Sequence, residues 1–113
     1  MLSRKFKIER KDFPKDLRVG RGFYSPHLSL FVFKSPGDKP SRFSFVVSAK
    51  ISKKATTRNL LRRRGYDVVK GLPLVGPASL CVFYFKKGSD KISFSETKKE
   101  IISLLEKSKI LPQ

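Results

Sequence analysis

Apolar and polar residues alternate along two stretches of the chain, and this alternation predicts two β-strands. His27–Lys34 reads HLSLFVFK and Arg42–Ser48 reads RFSFVVS, so each stretch places every second residue on the same face. One face is uniformly apolar, and the other mixes aromatic, aliphatic and small polar residues. The residues of the mixed face are Ser29, Phe31, Phe33, Ser44, Val46 and Ser48.

Two further strands and a turn follow from the same reading. Arg21–Tyr24 is a short strand candidate, and Ser79–Lys86 is apolar nearly throughout. A strand without alternation is typical of burial on both faces, so we expect Ser79–Lys86 to lie centrally in the sheet. The intervening stretch SPGDKPS has the composition of a turn.

Apolar residues at helical spacing predict three helices. The first begins near Asp12 as N-cap, has Pro14 in its first turn and ends at Gly20, after an extended arm over residues 1–6. The second covers Lys54–Lys70, and the third begins with a capping-box pattern at Ser93 and ends near residue 107. The predicted order is α-β-β-β-α-β-α, an α/β fold of the α+β sandwich type in one domain, residues 1–113.

The charge of the chain limits the possible classes of function more than its predicted fold does. The 113 residues include 26 Lys and Arg against 9 Asp and Glu, a formal net charge of +17, which favours a polyanionic partner such as nucleic acid. No apolar run is long enough to span a membrane, and no signal-peptide pattern is present, so we expect a cytoplasmic protein. The single cysteine, Cys81, lies in an apolar run and predicts a buried thiol.

The cations concentrate in residues 50–64, which contain no acidic residue. Arg58 and Arg62 are four residues apart on the predicted helix, where like charges repel unless an anionic ligand lies between them. Arginine suits phosphate because its planar guanidinium donates paired hydrogen bonds. A solvated helix face is the simpler alternative. We predict RNA contacts from Lys50, Lys53, Lys54, Arg58, Asn59, Arg62 and Arg63.

The mixed sheet face is the second candidate surface. Phe31 and Phe33 could stack on unpaired bases, or a helix could cover them as core residues. The core interpretation is favoured for Phe33, and the two are equal for Phe31. Phe13 has the same two interpretations. A protein catalytic site is not indicated, because the lone His27 has no cysteine or paired carboxylate near it in sequence.

Three stretches in order resemble the protein component of bacterial ribonuclease P. The stretch FSFVVSAKISKKATTRNLLRRR carries the Ser-Lys-Lys strand end and Arg-Asn motif helix of that family. KIERKDFPKDLRVGRGF resembles its first helix and glycine turn, and ISFSETKKEIISLLEKSKIL its last helix. The chain departs from the family pattern at Ala49, Leu60, Gly65 and Tyr66.

The resemblance implies a four-stranded sheet with a left-handed β-α-β crossover. It also implies a subunit that binds the catalytic ribonuclease P RNA and the single-stranded 5′ leader of precursor tRNA. The RNA and Mg²⁺ held mainly by it would perform the endonucleolytic cut, with no further protein partner evident. Family cleft positions match Phe13, Leu17 and Phe31, and Ser44, Val46 and Ser48 share the same predicted face.

Two other functions remain open on the residues alone. A ribosomal or ribosome-associated protein would share the charge and the small α/β fold. A stand-alone nuclease is less favoured, because no carboxylate cluster or histidine pair is visible.

Overall fold

A computed structural model describes residues 7–36 and 40–112. The predicted arm over residues 1–6 and the middle of the predicted turn, residues 37–39, lie outside the described residues. The regular elements are strands β1 (Arg21–Tyr24), β2 (Leu28–Lys34) and β3 (Arg42–Val46), helix α1 (Ala55–Val69), strand β4 (Ser79–Phe85) and helix α2 (Phe94–Lys107). All four predicted strands and the last two predicted helices are thus confirmed to within two residues at their ends.

The sheet has the order β1-β2-β4-β3, which places β4 between two strands, as its apolar sequence predicts. β1 pairs with β2 and β2 with β4 in antiparallel fashion, whereas β3 runs parallel to β4. The connection from β3 through α1 to β4 is therefore a parallel crossover. The left hand of that crossover stays a prediction from the resemblance.

One face of the sheet carries the main core. Leu28, Leu30, Phe43 and Phe83 are buried there, and α2 packs over β1 and β2 while α1 packs over β3. We call this the covered face. Ser93 begins α2 as predicted, because its Oγ accepts a hydrogen bond from the Glu96 N–H at 3.1 Å.

The predicted first helix is wrong. The segment forms two separate 3₁₀ turns, Arg10–Asp12 and Leu17–Val19, with extended backbone at Phe13 and Asp16. Pro14 explains the break, because it lacks an N–H and disfavours helical backbone at the residue before it. Asp12 is not an N-cap: its carboxylate accepts a hydrogen bond from Arg42 at 2.9 Å. Asp16 caps the second turn instead, accepting from the Arg18 N–H.

Helix α1 lies very close to β3 where it carries Gly65. A Cβ built on this residue would stand 2.5 Å from the Phe45 ring, inside contact distance. Phe45 stacks on Phe83 with centroids 4.8 Å apart, and the edge-to-face contact with Tyr66 is at 4.9 Å. The departure from the family pattern at residues 65 and 66 therefore makes room for a large ring on β3 and packs against that ring.

Candidate nucleic-acid interface

The predicted cationic surface is assembled around the beginning of α1. Lys50, Lys53 and Lys54 are exposed in the loop between β3 and α1, whose first turn has no acidic residue and no side-chain cap. The positive end of the helix dipole adds to these charges. The arrangement concentrates donors for phosphate oxygens at one end of the molecule.

The arginines on α1 differ in what they contact. Arg58 is half-buried and its Nη1 donates to the Ser52 carbonyl oxygen at 2.8 Å, so this side chain also holds the loop that leads into the helix. Arg62 donates to the Asn59 side-chain oxygen. Arg63 is exposed, while the Arg64 guanidinium lies 5.8 Å from the Phe94 ring centroid. Two of the predicted contact residues on α1, Arg58 and Arg62, therefore already have hydrogen-bond partners within the protein.

A concavity of about 300 Å³ lies between α1 and Lys7, which is at the outer edge of β3. Lys7 forms a parallel bridge with Phe43 at that edge. Three predicted RNA-binding residues line the concavity together with three that the sequence analysis did not assign; the full lining is Lys7, Asn59, Arg62, Arg63, Tyr66 and Asp67.

The sheet face opposite the covered face is only partly roofed, and we call it the open face. Phe33, Leu80 and Val82 are buried there under the two 3₁₀ turns. Four predicted cleft residues meet around them, namely Phe13, Leu17, Phe31 and Val46. Ser44 is half-buried, whereas Ser48 is exposed and lies beyond the end of β3. The core interpretation of Phe33 is confirmed, and Phe31 remains half-buried.

Aromatic side chains continue across the open face beyond the roofed part. Tyr24 on β1 meets Phe31 on β2 edge-to-face at 6.1 Å, and Phe31 meets Tyr84 on β4 in the same way at 5.8 Å. Tyr24 is 58% exposed, and the Lys86 ammonium lies 5.5 Å from its ring centroid. Exposed rings beside a cation are suited to stacking with unpaired bases. The sequence analysis missed Tyr24 and Tyr84, although a tyrosine within the apolar run of β4 was an available signal.

A buried ion pair holds in place the segment 8–19, which packs over part of the open face and which we call the roof. Arg42, at the start of β3, has a side chain only 2% exposed and pairs with Asp12 at 2.9 Å. Within residues 7–36 and 40–112, its Nε and Nη2 have no hydrogen-bond partner. This guanidinium depends on Asp12 because a buried charge without compensation is costly.

Ser25 and His27 also come together with Glu100, which lies more than seventy residues further along the sequence. Glu100 Oε1 accepts hydrogen bonds from the Ser25 hydroxyl at 2.5 Å and from the His27 backbone N–H at 2.8 Å. Glu100 Oε2 lies 2.6 Å from His27 Nδ1. A catalytic triad places the histidine between serine and carboxylate. Here the carboxylate is in the middle, so the cluster ties α2 to the β1–β2 turn.

Other catalytic chemistry has little support in residues 7–36 and 40–112. Burial raises the pKa of the Cys81 thiol to about 12, so this side chain stays protonated and unreactive. The described residues contain no group of three or more histidine, cysteine or carboxylate side chains that could hold a metal ion. The described helices include none that is long and apolar enough to cross a membrane.

A cationic helix beside a half-open aromatic sheet face defines a small basic protein of the nucleic-acid-binding type. The family model described as Ribonuclease P matches residues 3–109. The chain belongs to this family.

Its relatives are protein components of the bacterial enzyme. The ribonuclease P protein component of Microcystis aeruginosa is 30% identical over 108 residues, which cover 90% of this chain and 88% of the relative. That of Listeria monocytogenes is 26% identical over 99% of this chain and 95% of the relative.

Solved structures agree on the fold. The ribonuclease P protein of Staphylococcus aureus superimposes with a TM-score of 0.77 at 15% identity, over 94% of this chain and 97% of that one. The protein from Thermotoga maritima gives 0.74 at 23% identity, over 89% and 96%. The mixed four-stranded sheet and its two helices are thus the fold of this family, and family membership implies a place in a ribonucleoprotein.

Proposed function

We propose that this protein is the RNA-binding subunit of a ribonuclease P ribonucleoprotein that removes the 5′ leader from precursor tRNA in the cytoplasm. The observation that carries the proposal is the position of the cationic loop and helix α1 next to the same strand, β3, that borders the open face. One surface supplies charge for the catalytic RNA, and the other supplies rings for a single strand.

The two surfaces would have different tasks. Lys50, Lys53, Lys54 and Arg63 are exposed and can meet phosphates of the catalytic RNA. Arg58 and Arg62 can do so beside their hydrogen bonds to the Ser52 carbonyl and the Asn59 side chain. On the open face, the half-buried Phe31 and Tyr84 and the exposed Tyr24 offer edges and faces to leader bases. In this proposal Mg²⁺ is held mainly by the RNA, which performs the hydrolysis.

Reconstitution tests the proposal. The protein is added to a bacterial ribonuclease P RNA at low magnesium, and release of the leader from precursor tRNA is followed under single-turnover conditions. We expect cleavage to depend on the protein at low magnesium and to become less dependent as magnesium rises. Absence of stimulation by folded protein at every magnesium concentration would contradict the proposal.

Two variants separate the surfaces. Arg62→Ala should weaken assembly with the RNA by about 1.5–3 kcal/mol, the contribution of a charge-assisted hydrogen bond, and raised magnesium should restore part of the activity. Phe31→Ala should weaken binding of precursor tRNA and leave mature tRNA unaffected, because only the precursor carries a leader. Equal losses of binding for both tRNAs with Phe31→Ala would contradict the assignment of the leader to the open face.

A further inference from the structure

The concavity beside α1 differs from the rest of the cationic surface because it contains a ring and a carboxylate. Its volume of about 300 Å³ is at the small end of ligand sites, which span about 300–1,000 Å³. Three of its lining residues, Asn59, Arg62 and Arg63, carry side-chain hydrogen-bond donors on α1, and Arg62 donates to the Asn59 side-chain oxygen. A site for phosphate alone would need neither Tyr66 nor Asp67.

Tyr66 is held as a rigid wall of this concavity. Its ring contacts Phe45 edge-to-face at 4.9 Å, and burial raises the pKa of its hydroxyl, while hydrogen bonds with the Phe45 backbone and the Ser44 side chain act in the other direction. The Lys7 ammonium lies 4.7 Å from the ring centroid, on the side of the concavity. A lysine side chain is flexible, so a flat ligand can take this place on the ring and leave the ammonium for a phosphate.

Asp67 is the only acidic residue between Asp38 and Asp90. It is exposed on the rim of the concavity. Arg63 and Arg64 precede it by four and three residues, at the spacing of helical ion pairs, yet among the described residues neither forms a salt bridge with it. The carboxylate repels phosphate and leaves an acceptor beside the arginine and asparagine donors.

We propose that this concavity binds one unpaired guanine base of RNA, stacked on Tyr66. Guanine presents the acceptors O6 and N7 next to its N1–H and exocyclic amino donors. Arg62, Arg63 and Asn59 can donate to the acceptors, and the Asp67 carboxylate can accept from the donors. Adenine and the pyrimidines match only part of this set. The inference rests on the proposed function, because it adds base selection to the RNA-binding helix.

The test is binding of short labelled oligoadenylates by fluorescence anisotropy at fixed salt. One central adenosine is replaced by guanosine or by inosine, which lacks the exocyclic amino group. We expect the guanosine strand to bind about tenfold more tightly than the all-adenosine strand, the discrimination of one good paired contact. Inosine should lose most of this gain.

Asp67→Asn distinguishes base selection from simple electrostatics. Removal of one negative charge should tighten binding of every RNA if Asp67 only repels phosphate. The guanine pocket predicts loss of the preference for guanosine as well, whatever the change in overall affinity. Glu96→Gln is the matched control, because it removes one exposed carboxylate on α2 and should keep the preference. Tyr66→Phe should keep the preference and Tyr66→Leu should lose it, with thermal melts used to verify folding.

The outcomes are distinguishable from failure of the proposed function. Equal binding of guanosine and adenosine strands by the wild-type protein overturns the pocket and leaves the proposed function standing. A preference for guanosine that survives Asp67→Asn also overturns the pocket. Failure to bind any single-stranded RNA or ribonuclease P RNA at low salt overturns both.

Discussion

The covered and open faces of one sheet are built in opposite ways. On the covered face, Leu30, Phe43 and Phe83 are at most 1% exposed and lie under two α-helices. On the open face, the buried apolar cluster among the described residues is Phe33, Leu80 and Val82 under a segment of 3₁₀ turns, and the aromatic residues beside it remain partly exposed. A ring buried in a core cannot stack on a base, so the covered face serves stability, and the proposed function assigns recognition to the open face.

Phe45→Ala gives the largest expected effect, because it empties the centre of the covered face. Truncation of a fully packed phenylalanine costs about 3–5 kcal/mol in free energy of unfolding. Phe45 is 3% exposed and contacts the rings of Tyr66, Phe83 and Phe85. Urea unfolding followed by circular dichroism measures the loss.

Phe31→Ala is the matched truncation on the open face. Its ring is half-buried, so we expect a loss of about 1 kcal/mol, the average for point substitutions. Equal losses for the two variants would contradict the division between the faces.

Sequence patterns predicted the covered face better than the open face, for a physical reason. Alternation along β2 and β3 assigned the covered face, because burial under helices imposes a strict period of two. The structure of the roof was not predicted, because it depends on contacts between residues distant in sequence. Asp12 is a residue type that commonly caps helices and lies near Pro14, but its carboxylate instead accepts a hydrogen bond from the buried Arg42, thirty residues away.

The candidate site shows the same limit. The cationic run over residues 50–64 predicted the cationic surface to which the proposed function assigns RNA, since charge density is visible without a structure. The concavity was not predictable, because Lys7 and Tyr66 meet only when the segment before the first turn runs along the edge of β3. Likewise, Glu100 reaches His27 only through the packing of α2 on the sheet.

Asp12→Ala should detach the roof from the open face. It leaves the Arg42 guanidinium buried without its ion-pair partner, which costs about 3 kcal/mol, the lower end for a broken buried pair, because the segment can move and admit water. Hydrogen exchange should increase at the roof, including the Ile8 N–H that bonds to Phe43, and stay slow in the strands of the covered face. Adding Arg42→Met should recover part of the loss. Uniform acceleration of exchange across the sheet would show that the roof is not a separate unit.

Gly65→Ala tests how closely α1 must approach the covered face. Alanine favours a helix over glycine, yet its Cβ would meet the Phe45 ring at 2.5 Å, so overpacking should exceed the gain and leave a net loss of about 1–2 kcal/mol. In a Phe45→Leu background the same substitution should cost less, because the smaller side chain leaves room. A double-mutant cycle from urea unfolding measures this coupling, and additive losses would contradict it.

Glu100→Gln gives a small effect and a distinctive pH dependence. Partial burial acts to raise the pKa of Glu100, but hydrogen bonds from Ser25 and His27 outweigh it and hold that pKa below its ordinary value of 4.5. A lowered folded-state pKa stabilises the protein above about pH 4.5 and ceases to do so as the pH falls through the folded-state value. The variant should therefore be less stable by about 1 kcal/mol at neutral pH, the contribution of one hydrogen bond, and the difference should shrink in acid. Thermal melts from pH 7 down to about pH 3 measure both parts. A stability difference that persisted unchanged into acid would mean that Glu100 acts through packing and not through its charge.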